Sequence, residues 1–127
     1  MTKTPLLAIL LFINLSALAQ PKTEQEVRSL LCHKWKVTHM ETAERKVAVP
    51  AEYELYMDIR SNGTLIELEP EGEHNGKWKY EHETRTFITD DDDGIKKHEV
   101  IKINEKEFII KSDLGGELVN LIMKRVN

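Results

Sequence analysis

From residue 34 onward, apolar positions recur every second residue. HKWKV (33–37) and GKWKY (76–80) each set a tryptophan between two lysines. Successive side chains of a strand point to opposite faces, so Trp35 faces one way and Lys34 and Lys36 the other. Trp35, Val37 and His39 are expected inside, and so are Trp78 and Tyr80. Tyr53, Leu55, Met57 and Ile59 alternate with Glu54, Tyr56, Asp58 and Arg60 in the same way, as do Val119, Leu121 and Met123 with Asn120, Ile122 and Lys124. This is the pattern of sheets with one wet and one dry face. It predicts eight strands, over 34–41, 53–60, 64–69, 76–81, 84–90, 96–103, 107–112 and 117–126. The repeated phrase is then one strand solution used twice. Strands 84–90 and 96–103 have mixed patterns that assign no inward face.

One helix precedes them. TEQEVRSLLCH (23–33) carries Val27, Leu30 and Leu31 at helical spacing, and Thr23 with Glu26 has the spacing of a capping box. Asn62-Gly63 and Asp93-Gly94 are hairpin turn signals, and Gly115-Gly116 marks another turn. A two-residue turn at Asn62-Gly63 pairs Ile59 with Ile66 and Met57 with Leu68, sending Ile66 and Leu68 inward. A three-residue turn with a bulge sends Leu65 and Glu67 in instead; the hydrophobic pattern favours the former. Short connections imply antiparallel neighbours in up-and-down order. Eight such strands leave two bare edges unless the sheet closes, so the expected fold is all-β: an eight-stranded antiparallel up-and-down barrel with a short N-terminal helix plugging one end. Only the connection 42–52, which holds Pro50, is long.

The first twenty residues do not belong to that pattern. MTKTPLLAILLFINLSALAQ has Lys3, an apolar run from Leu6 to Leu18, and Ala17 and Ala19 at the positions a signal peptidase inspects. It reads as a secretory signal peptide cleaved after Ala19, too short for a membrane span. Gln20 stands where a lipoprotein would need cysteine. The expected domains are thus a signal peptide (1–19) and a barrel (20–127), exported to the periplasm or beyond the cell. Removing 19 of 127 residues leaves 108, with 17 Lys and Arg against 22 Asp and Glu. Charges alternate in sign without a basic stripe, which argues against nucleic acid as a partner, and no later segment suits a membrane. Cys32 is the lone cysteine, so no intramolecular disulfide is available, and it reads as a small hydrophobe of the helix.

The helical lead-in, the Trp opening HKWKV, a hydrophobic strand running into SNGTL, then GKWKY and a last strand ending LIMKRV together resemble the lipocalin-like domains of secreted bacterial proteins, calycin-type small β-barrels. The resemblance spans about residues 24–126. His33 stands where lipocalins place glycine. The resemblance implies a small-molecule-binding barrel and a structural stack of Trp35 on Arg125.

Catalytic chemistry is not written in the sequence. Aligning TDDDDG (89–94) as a calcium loop puts Thr89 and Val100 at ligand positions, which neither can fill. The five histidines lack metal-site spacing, and no nucleophile motif or phosphate loop occurs. Glu41 shares its parity with Trp35 and is placed at a barrel mouth, but without a partner carboxylate. The expectation is a non-enzymatic, cofactor-free, monomeric binding protein holding a small apolar or amphipathic ligand. Candidate lining residues are Tyr53, Leu55, Met57, Trp78, Tyr80 and Met123, each equally at home in a filled core. The alternative is a solid barrel that meets a protein partner or acts as an inhibitor through loop 42–52.

Overall fold

A computed structural model describes residues 22–126. The expected signal peptide lies outside the described residues. A helix α1 (Glu24–Leu31) is followed by nine strands: β1 (Lys34–Glu41), β2 (Lys46–Ala48), β3 (Tyr56–Ile59), β4 (Thr64–Glu69), β5 (Gly72–Glu81), β6 (Thr86–Asp91), β7 (Gly94–Ile103), β8 (Glu107–Leu114) and β9 (Glu117–Val126). Strands β3 to β9 follow one another around a closed antiparallel barrel, and β9 returns to β1. Eight staves result, because β3 pairs with Lys34–Lys36 of β1 while β2 pairs with His39–Glu41 further along the same edge. The 42–52 connection is therefore not all loop, as the sequence suggested. Its Lys46–Ala48 stretch takes over the edge of β1 where β3 has ended. No helix among the described residues is long and apolar enough to cross a membrane.

The helix closes one end. Thr23 and Glu26 form the capping box, each side chain bonded to the other's backbone amide. Val27 and Leu31 are buried against Trp35 and the neighbouring core. Arg28 donates to the Tyr80 carbonyl at 2.9 Å, tying the helix to β5. Cys32 is half-buried against the same core, as a small hydrophobe would be.

Three local irregularities decide which side chains face inward. The first is the turn after β3. Arg60 and Thr64 bracket residues 61–63, with the Arg60 amide donating to the Thr64 carbonyl at 2.9 Å. Gly63 takes φ 88°, and Asn62 Oδ1 accepts from the Thr64 amide at 3.1 Å. This is a three-residue turn with a left-handed glycine, not the two-residue turn expected. Ile59 therefore pairs with Leu65 and Met57 with Glu67. Leu65 is buried, while Ile66 and Leu68 lie half-covered on the outer face. A one-residue slip exchanges the two faces of a strand, and here it carries Glu67 into the barrel.

The second irregularity is a bulge in β1 between Val37 and His39. Trp35 and Val37 face inward, but beyond the bulge it is Met40, paired with Leu121, that enters the interior. His39 and Glu41 consequently leave it, contrary to the alternation. His39 Nδ1 sits 3.0 Å from Thr38 Oγ1, and Asn120 donates to Glu41 at 3.4 Å. A similar shift between Val100 and Lys102 explains the mixed pattern of β7: His98 and Val100 point in, and Ile103 follows after the bulge.

Candidate ligand-binding site

The barrel is packed at the helix end and open at the other. Trp35, Phe87, Phe108 and Met123 fill the closed half, with Trp35 and Phe108 rings 5.4 Å apart and Phe87 and Phe108 rings 5.7 Å apart. Above this layer lies an interior cavity of about 260 Å³, reached by Val37, Met40, Leu55, Met57, Ile110 and Leu121 among others. At the mouth it meets an apolar vestibule of about 670 Å³, walled by Val47, Val49, Pro50, Tyr53, Leu114 and Val119. Met40, Leu55, Glu69 and Leu114 line both, so the two adjoin.

Polar groups converge on the interior cavity. Thr89, His98 and Ser112 are buried on β6, β7 and β8. Ser112 Oγ lies 2.7 Å from His98 Nδ1, and Thr89 Oγ1 lies 3.5 Å from His98 Nε2, the outer limit of such a bond. Burial, and then the nearby Lys96 charge, push His98 down to about 4, so its ring is neutral at pH 7. Glu67 enters from β4. Burial, a hydrogen bond to the Asp91 carboxyl and the Asp91 charge push it up to about 7, with Lys96 opposing. Asp91 moves the other way, held down first by that same hydrogen bond. The pair thus shares a proton near neutrality, Glu67 being the side that keeps it. Glu67 Oε1 is buried without a hydrogen-bond partner.

Gly76 makes this approach possible. On β5 it pairs with Leu65 of β4, two residues from the Glu67 row, and a Cβ there would lie 2.8 Å from the Asp90 carbonyl oxygen and 3.2 Å from Asp91 Cβ. Asp91 leans across the bare glycine toward Glu67. Gly76→Ala is expected to destabilise the barrel by about 1–3 kcal/mol, because the obstructing carbonyl belongs to the backbone and must shift. Urea titration of the two proteins measures it, and equal midpoints would show that the strands move apart freely.

The residues singled out from the sequence separate into two groups. Leu55 and Met57 line the cavities, and Tyr53 stands at the vestibule, 55 % exposed. Trp78, Tyr80 and Met123 are buried in the packed half; Trp78 donates to the Arg60 carbonyl at 2.7 Å. The sequence reading missed the polar set. Thr89 and His98 fall on the two strands whose faces were unassigned, and Glu67 fell on the rejected turn. Arg125 is the register partner of Trp35, but it is exposed, while the cation–π pairs of the described residues join Arg28 to Tyr80 and both Lys34 and Lys36 to Tyr56. A guanidinium left in water contributes little, so Arg125→Ala is expected to cost under about 0.5 kcal/mol in a thermal melt. A tight stack on the indole would show as about 0.5–2 kcal/mol.

Among the described residues no group of three or more His, Cys, Asp or Glu side chains is placed to hold a metal. The Asp run is a hairpin tip: Asp91 pairs with Gly94, and Asp91 Oδ1 accepts from the Asp93 amide at 2.8 Å.

A closed eight-stave antiparallel barrel, plugged by an N-terminal helix and open at the far end, is a lipocalin-like fold. Two solved structures share it: a lipocalin-like protein from Bacteroides uniformis ATCC 8492, 12% identical, and an uncharacterized protein from Bacteroides eggerthii DSM 20697, 9% identical, each superposing with a TM-score of 0.57. Each likeness covers 76% of this chain, and 98% and 99% of the respective neighbours. No protein-family model matches the sequence, and no curated protein does.

Proposed function

We propose that this protein is an exported carrier that binds a small amphipathic molecule inside its barrel. The observation that supports this is an apolar vestibule that shares walls with a smaller cavity carrying a few polar groups. Ligand sites are typically apolar concavities with a small number of placed polar atoms. Filled barrels of this size need no such opening. Val47, Tyr53, Leu114 and Leu118 are among the exposed large hydrophobics of the described residues, and the first three wall the vestibule.

Binding rather than catalysis suits the polar set. Ser112 beside His98 has the spacing of a nucleophile and its base, but Ser112 is 2 % exposed and the other ring nitrogen meets Thr89, not a carboxylate. The orienting acid that activates such a pair is therefore missing. The protein should be expressed with its N-terminal segment intact, and the exported form examined by native mass spectrometry. A mass above that of residues 20–127 that falls to it on activation is the expected result. A bare mass, unchanged after incubation with a mixed lipid extract, would count against a carried ligand and turn attention to protein partners of the 42–52 segment.

A further inference from the structure

We propose that the head group this barrel takes is an uncharged hydroxyl, seated between Thr89 Oγ1 and His98 Nε2 in the interior cavity, with an apolar body reaching toward the vestibule. The inference rests on the binding reading above and adds the chemistry of the head. Thr89, His98 and Ser112 stand on three successive strands, and all three line that cavity. They are 3 %, 8 % and 2 % exposed, so each is more than nine-tenths buried. Polar groups buried to this degree need partners. The two hydroxyls and the neutral ring carry one O–H or N–H hydrogen each. Two contacts join them: Ser112 Oγ to His98 Nδ1 at 2.7 Å, and Thr89 Oγ1 to His98 Nε2 at 3.5 Å. Among the described residues neither hydroxyl has another hydrogen-bond partner. In either ring tautomer one hydrogen is therefore left without an acceptor, and where Ser112 donates to Nδ1 that hydrogen belongs to Thr89. The long contact is the open joint. Ser112 holds Nδ1 at full hydrogen-bond strength, while Thr89 and Nε2 both keep capacity for an oxygen placed between them.

A hydroxyl suits this joint because it has two lone pairs and one hydrogen. Its oxygen accepts from the Thr89 hydroxyl and from Nε2–H, and its own hydrogen is free for an acceptor. Glu67 Oε1, on the wall of the same cavity, is an acceptor without a donor. A ketone has no hydrogen to give it. An ionised head fits worse. The three deeply buried groups are uncharged, since burial keeps His98 neutral at pH 7. The charged residues that line the cavity are of both signs: Glu67 is half-buried, and Glu69 and Lys96 are exposed. A cation or an anion brought to the joint gives up its hydration and meets no opposite charge buried with it. Val37, Leu55, Ile110 and Leu121 wall the rest of the cavity and suit an alkyl or aryl body.

The test uses one aryl body with four heads: naphthalene, naphthol, naphthoate and naphthylmethylammonium, titrated calorimetrically into the purified protein at pH 7. Naphthol is expected to bind about tenfold tighter than naphthalene and than either ion. Thr89→Val should remove most of that preference and leave the affinity for naphthalene unchanged. Thr89→Ser, which keeps the hydroxyl, should restore it. Should the valine variant fold poorly, the wild type decides alone: in a nitrogen NMR spectrum the His98 Nε2 signal should move with naphthol and stay in place with naphthalene. Equal affinities for naphthol and naphthalene, an ion binding tightest, or a preference that Thr89→Val leaves intact would overturn the hydroxyl seat and leave the carrier reading standing. No binding of any probe would overturn the seat, and a bare native mass besides would overturn the carrier reading as well.

Discussion

Replacing Trp35 with alanine is expected to lower the stability of the barrel by about 3–5 kcal/mol, a large part of the ~5–15 kcal/mol that holds a domain of this size together. The side chain is fully buried at the start of β1 and joins three elements. Its ring lies against Phe108 of β8 and edge-on to His33, at 5.4 Å and 6.1 Å. Its Nε1 donates to the Leu31 carbonyl at 3.1 Å, the carbonyl with which α1 ends. Alanine leaves a cavity at the plugged end and removes one of the two donors to that carbonyl, the His33 amide at 2.8 Å remaining, so the helix loses its floor and its side-chain anchor. Trp35→Phe should keep most of the packing and forfeit the hydrogen bond, costing about 1–2 kcal/mol. Urea midpoints of the two variants separate packing from bonding. A loss below about 1 kcal/mol for the alanine variant would mean that helix and barrel end are coupled only weakly. The repeated K-W-K phrase has its explanation here: both indoles face the core, and each fixes its N–H on a carbonyl outside its own strand.

The barrel was legible because it rests on alternation, and alternation survives most local detail. Trp35, Val37, Trp78 and Tyr80 all fall where period two puts them. The mouth was not legible, for a physical reason that recurs at three places. At 65–68 the hydrophobic pattern favours Ile66 and Leu68 inward over Leu65 and Glu67, but the orientation hangs on the length of one turn, and Gly63 in a left-handed conformation serves either length. The β1 bulge after Val37 and the β7 bulge after Val100 carry no sequence mark stronger than a threonine or an isoleucine at the step. Each irregularity changes what enters the upper barrel: Glu67 for Ile66, Met40 for His39, His98 on a strand without a clean pattern. A hydrophobicity rule assigns charged residues to water, so it hides a carboxyl that the register of β4 turns inward. Irregularity near a site is where local rules and the fold most often part.

Glu67 and His98 are expected to make stability nearly independent of pH between about 6.5 and 4.5, and removing Glu67 should expose a slope. Glu67 is an acid whose folded pKa, about 7, lies above its ordinary 4.5. The folded state holds its proton more firmly, so this stabilisation is complete below 4.5 and is lost as pH rises through 7. His98 is a base whose folded pKa, about 4, lies below its ordinary 6.5. Its stabilisation is present above 6.5 and is lost as pH falls through 4. The two displacements have equal size and opposite sense, and they overlap between 4.5 and 6.5. Glu107, held down to about 2 by the Lys124 and Lys102 hydrogen bonds, loses its stabilising contribution as pH falls from 4.5 toward 2 and so adds to the acid limb below that window. In Glu67→Gln the compensation is gone. Its stability should fall by on the order of 1–3 kcal/mol from pH 6.5 to 4.5, while that of the wild type stays level. Thermal melts at half-unit pH steps on both proteins decide the matter, and parallel curves would mean that the Glu67 carboxyl remains in contact with water. At pH 8 the order of the two proteins should reverse in favour of the glutamine variant, because there the wild type must hold Glu67 ionised beside Asp91 in a cavity with one lysine to oppose them.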